Sequence, residues 1–447
     1  MIRWHDKKVL VMGFSLSGKS CAKYLAQKGA DVYITEGRAK SENDEKEIKE
    51  LNLLGVKIEF GQHSDEFLNG CYVAVISPSI PINSELYKKV REKNIPIISE
   101  IGLAYKETGK PFIGITGTNG KTTVTALTSH ILSSEYNAPA CGNIGVPPTS
   151  LLSDDVDYFV CELSSYQMEH TNAFRPQIAC WTNFTPDHIN WHETLENYFD
   201  AKAKLFKNPS SAIFAVLNGA DEKLVEFAPQ CGGKVFFFDK ECDENCCYIK
   251  DKKIFYKRNK EEELIISLEE CPLIGHHNYQ NVMCSIIMAK IVGISNENIK
   301  NRIIDFVVPE HRLEKVRVMD GITFYNDSKA TNPEASIVAI NSFNNSDTLL
   351  IAGGRDKLTT LEEFCESVKS HIKTVILIGE ATERFEEHLK KSGFENIIKS
   401  DSLQSAIDKS IELKPDNVLL SPACASFDMF KSYEERGGVF KDYVFSK

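Results

Sequence analysis

Short apolar runs bounded by turn residues alternate along the chain with longer stretches of helical spacing. "KKVLVMG" (7–13) is the first run, and "SGKSCAKYLAQKG" keeps a helical period up to a closing Gly29. "ADVYITEG" predicts the next strand, and "CYVAVISPS" and "IPIISE" add two more before Tyr105. The polar "KETGKP" (106–111), punctuated by Gly and Pro, reads as a domain joint. A second unit opens with "FIGITGTNGKTTVTALTSHIL" and continues through "DYFVCEL", "QIACWTN" and "SAIFAVLN". A third follows the turn-rich "VVPEHRLE", with strands predicted at "GITFYND", "TLLIAGG", "TVILIGE" and "NVLLSPA". Such alternation predicts an α/β chain of mainly parallel sheets with right-handed crossovers. The expected domains are a Rossmann-like unit at 1–106, a P-loop NTPase-like unit at 107–308 and a second Rossmann-like unit at 309–447. In such sheets ligands sit at the carboxyl ends of strands, so the residues there are the candidates for chemistry.

Two loops compete for a nucleotide triphosphate. Gly13, four residues, then Gly18-Lys19-Ser20 spell G-x-x-x-x-G-K-[ST] in full, whereas "GITGTNGKTT" (Gly114–Thr123) has Ile115 at the first glycine position. Both follow a strand and precede a helix, so the surrounding acids decide. A triphosphate site needs an Mg²⁺-directed carboxylate on a neighbouring strand end. Glu162 stands at the end of "DYFVCEL", and Asp187 and His188 follow "QIACWTN". The first unit instead ends its second strand in Glu36, twenty-three residues after Gly13, which is the ribose-contact position of a dinucleotide fold. The second loop is therefore read as the triphosphate site, built from Gly117, Thr118, Asn119, Gly120, Lys121, Thr122 and Thr123, and the first as a cradle for a diphosphate or dinucleotide.

Charge narrows the partners. The net charge of −11 comes without a basic tract, which argues against nucleic acid, and no apolar stretch reaches membrane length. The chain reads as cytoplasmic and monomeric, working on small molecules. Its 13 Cys are scattered through apolar runs and read as packed thiols; the cluster of Cys242, Cys246 and Cys247 with Cys231 upstream is weak as a zinc site. His276 and His277 read as a helix cap and a surface residue.

The third unit carries chemistry at its strand ends: Asp327, Lys329 and Thr331 in "FYNDSKATN", Asp356 and Lys357 in "IAGGRDK", Ser421 and Ser426 in "SPACASFDMF". Upstream, "GHHNYQN" presents Asn278 and Asn281, and "PEHRLE" presents Arg312. Taken with "GTNGKTT", "GNIG" and "ELSSYQ", these segments resemble the Mur ligases of peptidoglycan synthesis across nearly all of the second and third units. The resemblance implies an ATP- and Mg²⁺-dependent amide ligase. ATP would phosphorylate the carboxylate of UDP-MurNAc-L-alanine, and the D-glutamate amine would attack the acyl phosphate. It also implies one Mg²⁺ near Thr122 and Glu162 and a second near His188 and a carbamylated Lys202, with Lys204 the alternative. Asn278, Asn281, Arg312 and Asp327 would hold the nucleotide, and Lys329 the acyl-phosphate charge. Thr331, Lys357, Ser426 and the backbone at Tyr433 would take D-glutamate. Asn143 and Ser164 would face the UDP-sugar, while Leu16, Ser17, Glu36, Arg38 and Ser77 would bind its nucleotide end. Two other classes compete on the residues alone: an NAD-dependent dehydrogenase built on Glu36, and a P-loop switch without catalysis.

Overall fold

The computed structural model describes residues 2–171, 174–207, 213–273, 275–307, 310–343 and 346–447, with Ile189 and Asn190 as backbone only. The expected boundary at 308/309 and parts of the "VVPEHRLE" and "SAIFAVLN" runs lie outside the described residues. Two compact units emerge, Met1–Cys271 with Gln280–Phe306, and Pro272–Tyr279 with Val307–Lys447.

The first unit holds two sheets. β1 (Lys8–Met12), β2 (Asp31–Glu36), β3 (Lys57–Phe60), β4 (Val73–Ile76) and β5 (Ile97–Ser99) run parallel in the order β3-β2-β1-β4-β5. The order reverses between β1 and β4, which opens a crevice at their carboxyl ends. The second sheet consists of β6 (Phe112–Thr116), β7 (Ala140–Gly142), β8 (Phe159–Glu162), β9 (Ile178–Trp181), β10 (Phe214–Asn218), β11 (Lys234–Phe238), β12 (Cys246–Lys250), β13 (Lys253–Arg258) and β14 (Glu261–Ser267). Its order is β14-β13-β12-β11-β10-β9-β6-β8-β7, parallel except for the antiparallel β12-β13-β14 meander. In β12, Cys246 and Cys247 are buried, and burial pushes both thiols upward, Cys246 to about 12. They pack as small hydrophobes.

The second unit carries β15 (Glu314–Met319), β16 (Ile322–Asn326), β17 (Thr348–Gly353), β18 (Thr374–Ile378), β19 (Ile397–Lys399) and β20 (Asn417–Leu420). The order is β15-β16-β20-β17-β18-β19, with only the β15 edge antiparallel. The α/β class with parallel-dominated sheets is as the spacing predicted. Central strands such as β4, β6, β8, β9 and β17 are buried at every position, because helices cover both faces. Trp181 closes the core of the second sheet, its ring 4.9, 5.4 and 5.5 Å from those of Phe199, Phe206 and Phe227.

Polar bonds join the two sheets of the first unit. Helix Glu100–Glu107 starts at the N-cap Ser99, whose Oγ lies 3.0 Å from Thr171 Oγ1. Glu100 Oε1 accepts from Thr149 N at 2.7 Å, Tyr24 OH donates to Glu107 Oε2 at 2.9 Å, and Ser20 Oγ lies 2.8 Å from Thr149 Oγ1. Burial raises the Glu100 carboxyl from 4.5 to about 7, against the lowering effect of the Thr149 hydrogen bonds. The folded protein thus keeps this proton up to about pH 7, while the unfolded chain releases it near 4.5. Stability from this group is full below the lower value, falls as pH rises through the window, and levels off above it, a change on the order of 3 kcal/mol. Urea midpoints at pH 5, 6, 7 and 8 should therefore show the wild type losing ground to Glu100→Gln as pH rises. A pH-independent gap between the two proteins would mean that Glu100 does not titrate here.

Candidate active site

At the carboxyl end of β6 the chain turns through Gly117 and Gly120, at φ +148° and +82°, into helix Lys121–Leu132. Glycine is required at both. A Cβ on Gly117 would lie 1.9 Å from Thr182 Oγ1, and one on Gly120 would lie 2.5 Å from Asn281 Oδ1. Residues just past β9 brace the loop: Asn119 N donates to Asn183 Oδ1 at 2.8 Å, and Thr182 Oγ1 donates to Asn119 O at 2.6 Å. The Lys121 ammonium reaches Gly117 O at 3.0 Å and Thr118 O at 2.7 Å. Thr122 and Thr123 are buried at the start of the helix.

Glu162 ends β8, only 2% exposed. Its Oε1 accepts from Asn143 Nδ2 at 2.8 Å, and its Oε2 is buried with no hydrogen-bond partner among the described residues. It does not cap the following helix, because Ser164 and Gln167 form that cap as a reciprocal box. Lys202, on helix Leu195–Lys207, is 1% exposed and donates to Gly117 O at 2.7 Å; Lys204 is exposed. Burial, then the Lys121 charge, push the Lys202 amine well below its ordinary value, with Asp187 and Glu162 pulling back.

His188 has φ +55° and sets its ring 5.0 Å from Tyr166. Sequence reasoning missed His192, four residues on. It is buried, with Nε2 2.9 Å from Ser165 Oγ and Nδ1 3.5 Å from Glu169 Oε1, and it stacks on Tyr166. Burial and the neighbouring His188, Lys202 and Lys204 lower it to about 4, so it stays neutral and props the tyrosine. Asn183 was missed as well. Its sequence signal was a polar residue two positions after a fully apolar strand.

At the β1/β4 crevice, Gly13 and Gly18 pack so closely that a Cβ on Gly18 would meet Gly13 O at 2.2 Å. Ser15 Oγ lies 2.8 Å from Ser77 Oγ. Both carboxylate oxygens of Glu36 accept backbone N–H groups, from Phe14 at 2.7 Å and Arg38 at 3.1 Å. Arg38 grips Asp44 through two 2.7 Å bonds. Leu16 is 61% exposed, while Ser17 lines a cleft with Pro78, Gln167 and His170. Lys19 pairs with Glu47 at 3.3 Å.

In the second unit, Asp327 is buried just past β16, accepting from Leu313 N at 3.1 Å and Ser421 Oγ at 2.7 Å. Burial raises it to about 7. Lys329 sits with Nζ 5.3 Å from the Tyr433 ring. Arg436 is fully buried and donates to Ser328 Oγ (2.9 Å), Ser328 O (2.7 Å) and Cys424 O (3.1 Å), while Ser328 Oγ donates to Tyr433 O at 2.8 Å. Arg355 N donates to Ala425 O at 2.8 Å. The loops bearing Thr331, Lys357, Ser426 and Tyr433 are thereby stitched together. Ser426 is buried, Thr331 and Arg312 half-buried, and Lys357 exposed. Asn278 is buried in this unit, and Asn281 in the first. His276 opens helix His276–Val292, but His277 is not a surface residue: it is half-buried, and burial lowers it to about 4.

Three family descriptions match successive parts of the chain: a Mur ligase MurD-like N-terminal domain over 7–99, a Mur ligase middle domain over 115–289 and a Mur ligase glutamate ligase domain over 311–424. A UDP-N-acetylmuramoylalanine–D-glutamate ligase from Thermoanaerobacter sp. (strain X514) is 38% identical over 446 residues, covering 98% of each chain. The protein of that name from Clostridioides difficile (strain 630) is 37% identical with the same coverage. Among solved structures, the UDP-N-acetylmuramate-alanine ligase MurC of Thermotoga maritima shares the fold at a TM-score of 0.61 and 18% identity, over 98% of this chain and 100% of its own.

Gly117→Ala should weaken nucleotide triphosphate binding at least tenfold in a calorimetric titration, since both the backbone angle and the Thr182 contact forbid a side chain there. Unchanged affinity would place the triphosphate elsewhere.

Proposed function

The chain belongs to the Mur ligase family of ATP-dependent ligases, and from that premise we propose that it joins D-glutamate to UDP-N-acetylmuramoyl-L-alanine. The observation that carries the reading is the array at the ends of β6 and β8: a phosphate-loop lysine, a buried carboxylate with one bare oxygen, and a buried amine beneath the loop. That array suits phosphoryl transfer, which needs positioning and charge neutralisation more than a protein nucleophile.

In the first step the γ-phosphoryl group passes from ATP to an oxygen of the L-alanine carboxylate, and ADP leaves. Lys121 gathers negative charge at the transferring group, and the N-terminus of its helix adds partial positive charge. In the second step the D-glutamate amine attacks the acyl carbon, the C–N bond forms, phosphate departs and the amine loses its proton to solvent. Lys329 offsets charge on the acyl phosphate. Lys357, Thr331, Ser426 and the backbone at Tyr433 hold the amino acid, with cation and hydroxyl matched to a dicarboxylate. Asn143 and Ser164 face the sugar. Leu16, Ser17, Ser77, Glu36 and Arg38 form the nucleotide end, where Glu36 shapes the two loops through their N–H groups.

The buried Glu162 Oε2, without a hydrogen-bond partner among the described residues, fits Mg²⁺, a hard cation that takes oxygen ligands, and the Thr122 hydroxyl would be a second donor. Mg²⁺ would supply neutralisation of the triphosphate. A second ion would be held by His188 and Lys202. The lowered Lys202 amine is competent to take up CO₂: its lone pair forms the N–C bond, the proton goes to solvent, and a carbamate oxygen donor replaces a cation.

Phosphate release from ATP in the presence of UDP-MurNAc-L-alanine should depend on D-glutamate, and L-glutamate, L-alanine or no amino acid should give background only. A matching mass gain on the nucleotide sugar completes the test; equal release with all four would sink the assignment. Lys202→Ala should lose most activity without recovery on added bicarbonate, so full activity in that variant would remove the carbamate.

A further inference from the structure

Lys357 is exposed at the tip of the loop after β17, in the stretch "GGRDK", and a lysine on a free loop is a poor anchor. Its ammonium is a point charge on a flexible stem, so any preference for one place must come from the backbone beneath it. The backbone here is held from outside the loop. Arg384, on helix Thr382–Lys391, donates from Nε to Asp356 Oδ2 at 2.5 Å and from Nη2 to Asp356 Oδ1 at 2.9 Å. Its Nη1 and Nη2 both reach Thr359 O at 3.1 Å. Asp356 Oδ1 also accepts from Leu358 N at 2.8 Å. Leu358 has φ +54°, a left-handed conformation that disfavours a residue with a Cβ. Every neighbour of Lys357 from 356 to 359 is therefore tied to a single guanidinium, directly or through one carboxylate.

The helix that carries Arg384 is itself keyed to the same strand end, because Ala381 N donates to Gly354 O at 2.9 Å. The Arg384 side chain is 24% exposed and that of Asp356 11% exposed, so the fork is partly screened from water. Burial alone would raise the Asp356 carboxyl; Arg384 and the Leu358 N–H outweigh it and hold the group below its ordinary value, charged at neutral pH.

We propose that Arg384 is a positioning residue for the amino-acid substrate, fixing the 356–359 loop so that Lys357 meets a carboxylate of D-glutamate. The proposal rests on the reading of Lys357 as a D-glutamate ligand. A planar fork with two bonds to a carboxylate and two to a carbonyl cannot be replaced by an ammonium. Preorganising the loop lowers the ordering cost of binding, so its loss appears in substrate affinity and not in turnover.

The test is steady-state kinetics on the full-length enzyme with each substrate varied in turn. Arg384→Gln and Arg384→Lys should each raise the KM for D-glutamate about tenfold, leaving kcat and the KM values for ATP and UDP-MurNAc-L-alanine within about twofold. In a Lys357→Ala background the same substitution should add less than about twofold, because the residue it positions is gone. An equal effect in both backgrounds, or a fall in kcat with the D-glutamate KM unchanged, overturns the proposal and leaves Arg384 as a support for the domain alone. If Lys357→Ala itself leaves the D-glutamate KM unchanged, the proposal falls with the assignment of Lys357. If the wild type shows no D-glutamate-dependent phosphate release, it falls with the assigned reaction.

Discussion

An ammonium removed from water costs several kcal/mol unless opposite charge or hydrogen-bond acceptors replace the solvent. Lys202 is 1% exposed, it donates a hydrogen bond to the carbonyl of Gly117, and the Lys121 cation adds to the strain. The nearby acids Asp187 and Glu162 offset part of this. The sum favours a neutral amine, and around that amine the rest of the first unit's site is arranged. Gly117 must be glycine for its carbonyl to point inward, Thr182 closes against it, and Asn119 is pinned by Thr182 and Asn183. A surface lysine at position 202 would need none of this.

The second unit solves a different problem, the display of cations and hydroxyls on loops at strand ends without letting those loops wander. Its means are buried and half-buried donors that bridge one loop to another. Arg436 ties the Ser328 turn to Cys424, Ser328 ties it to Tyr433, and Arg384 brackets Lys357. Burial lowers the Arg436 guanidinium to about 10, still far above neutral, so it remains a cation holding carbonyls. Charged groups serve here as rivets, and the residues that would touch substrate stay comparatively simple.

Much of the fold was legible because parallel sheets repeat one local pattern: a short apolar run, a turn, an amphipathic helix. Candidates placed at strand ends by that rule, such as Glu162 after "DYFVC" and Asp327 after "ITFYN", do sit there. The β12-β13-β14 meander was not anticipated, since its strands carry charged residues on an open face and lack a uniform apolar run. The supports were not legible either. His192 with Ser165, Arg384 with Asp356 and Arg436 with Cys424 are pairings between segments, and no periodicity within one segment announces them. His277 was misjudged for a related reason: a histidine beside a histidine looks polar in sequence, whereas its burial depends on the neighbouring Ser342 turn.

The hydroxyl of Ser20 completes the spelling of a phosphate loop, yet it lies against Thr149 Oγ1, on the seam between the two sheets of the first unit. Lys19 is likewise engaged with a helix neighbour, Glu47. Spelling and orientation are separate pieces of information, and only the second is chemical. A string search ranks this segment above the Gly114–Thr123 loop because it counts letters along the chain. The fold ranks it below, because on helix Leu16–Gln27 the Lys19 and Ser20 side chains are engaged by Glu47 and Thr149 of the same chain. Those last two letters of the motif are, in mechanical terms, a dowel.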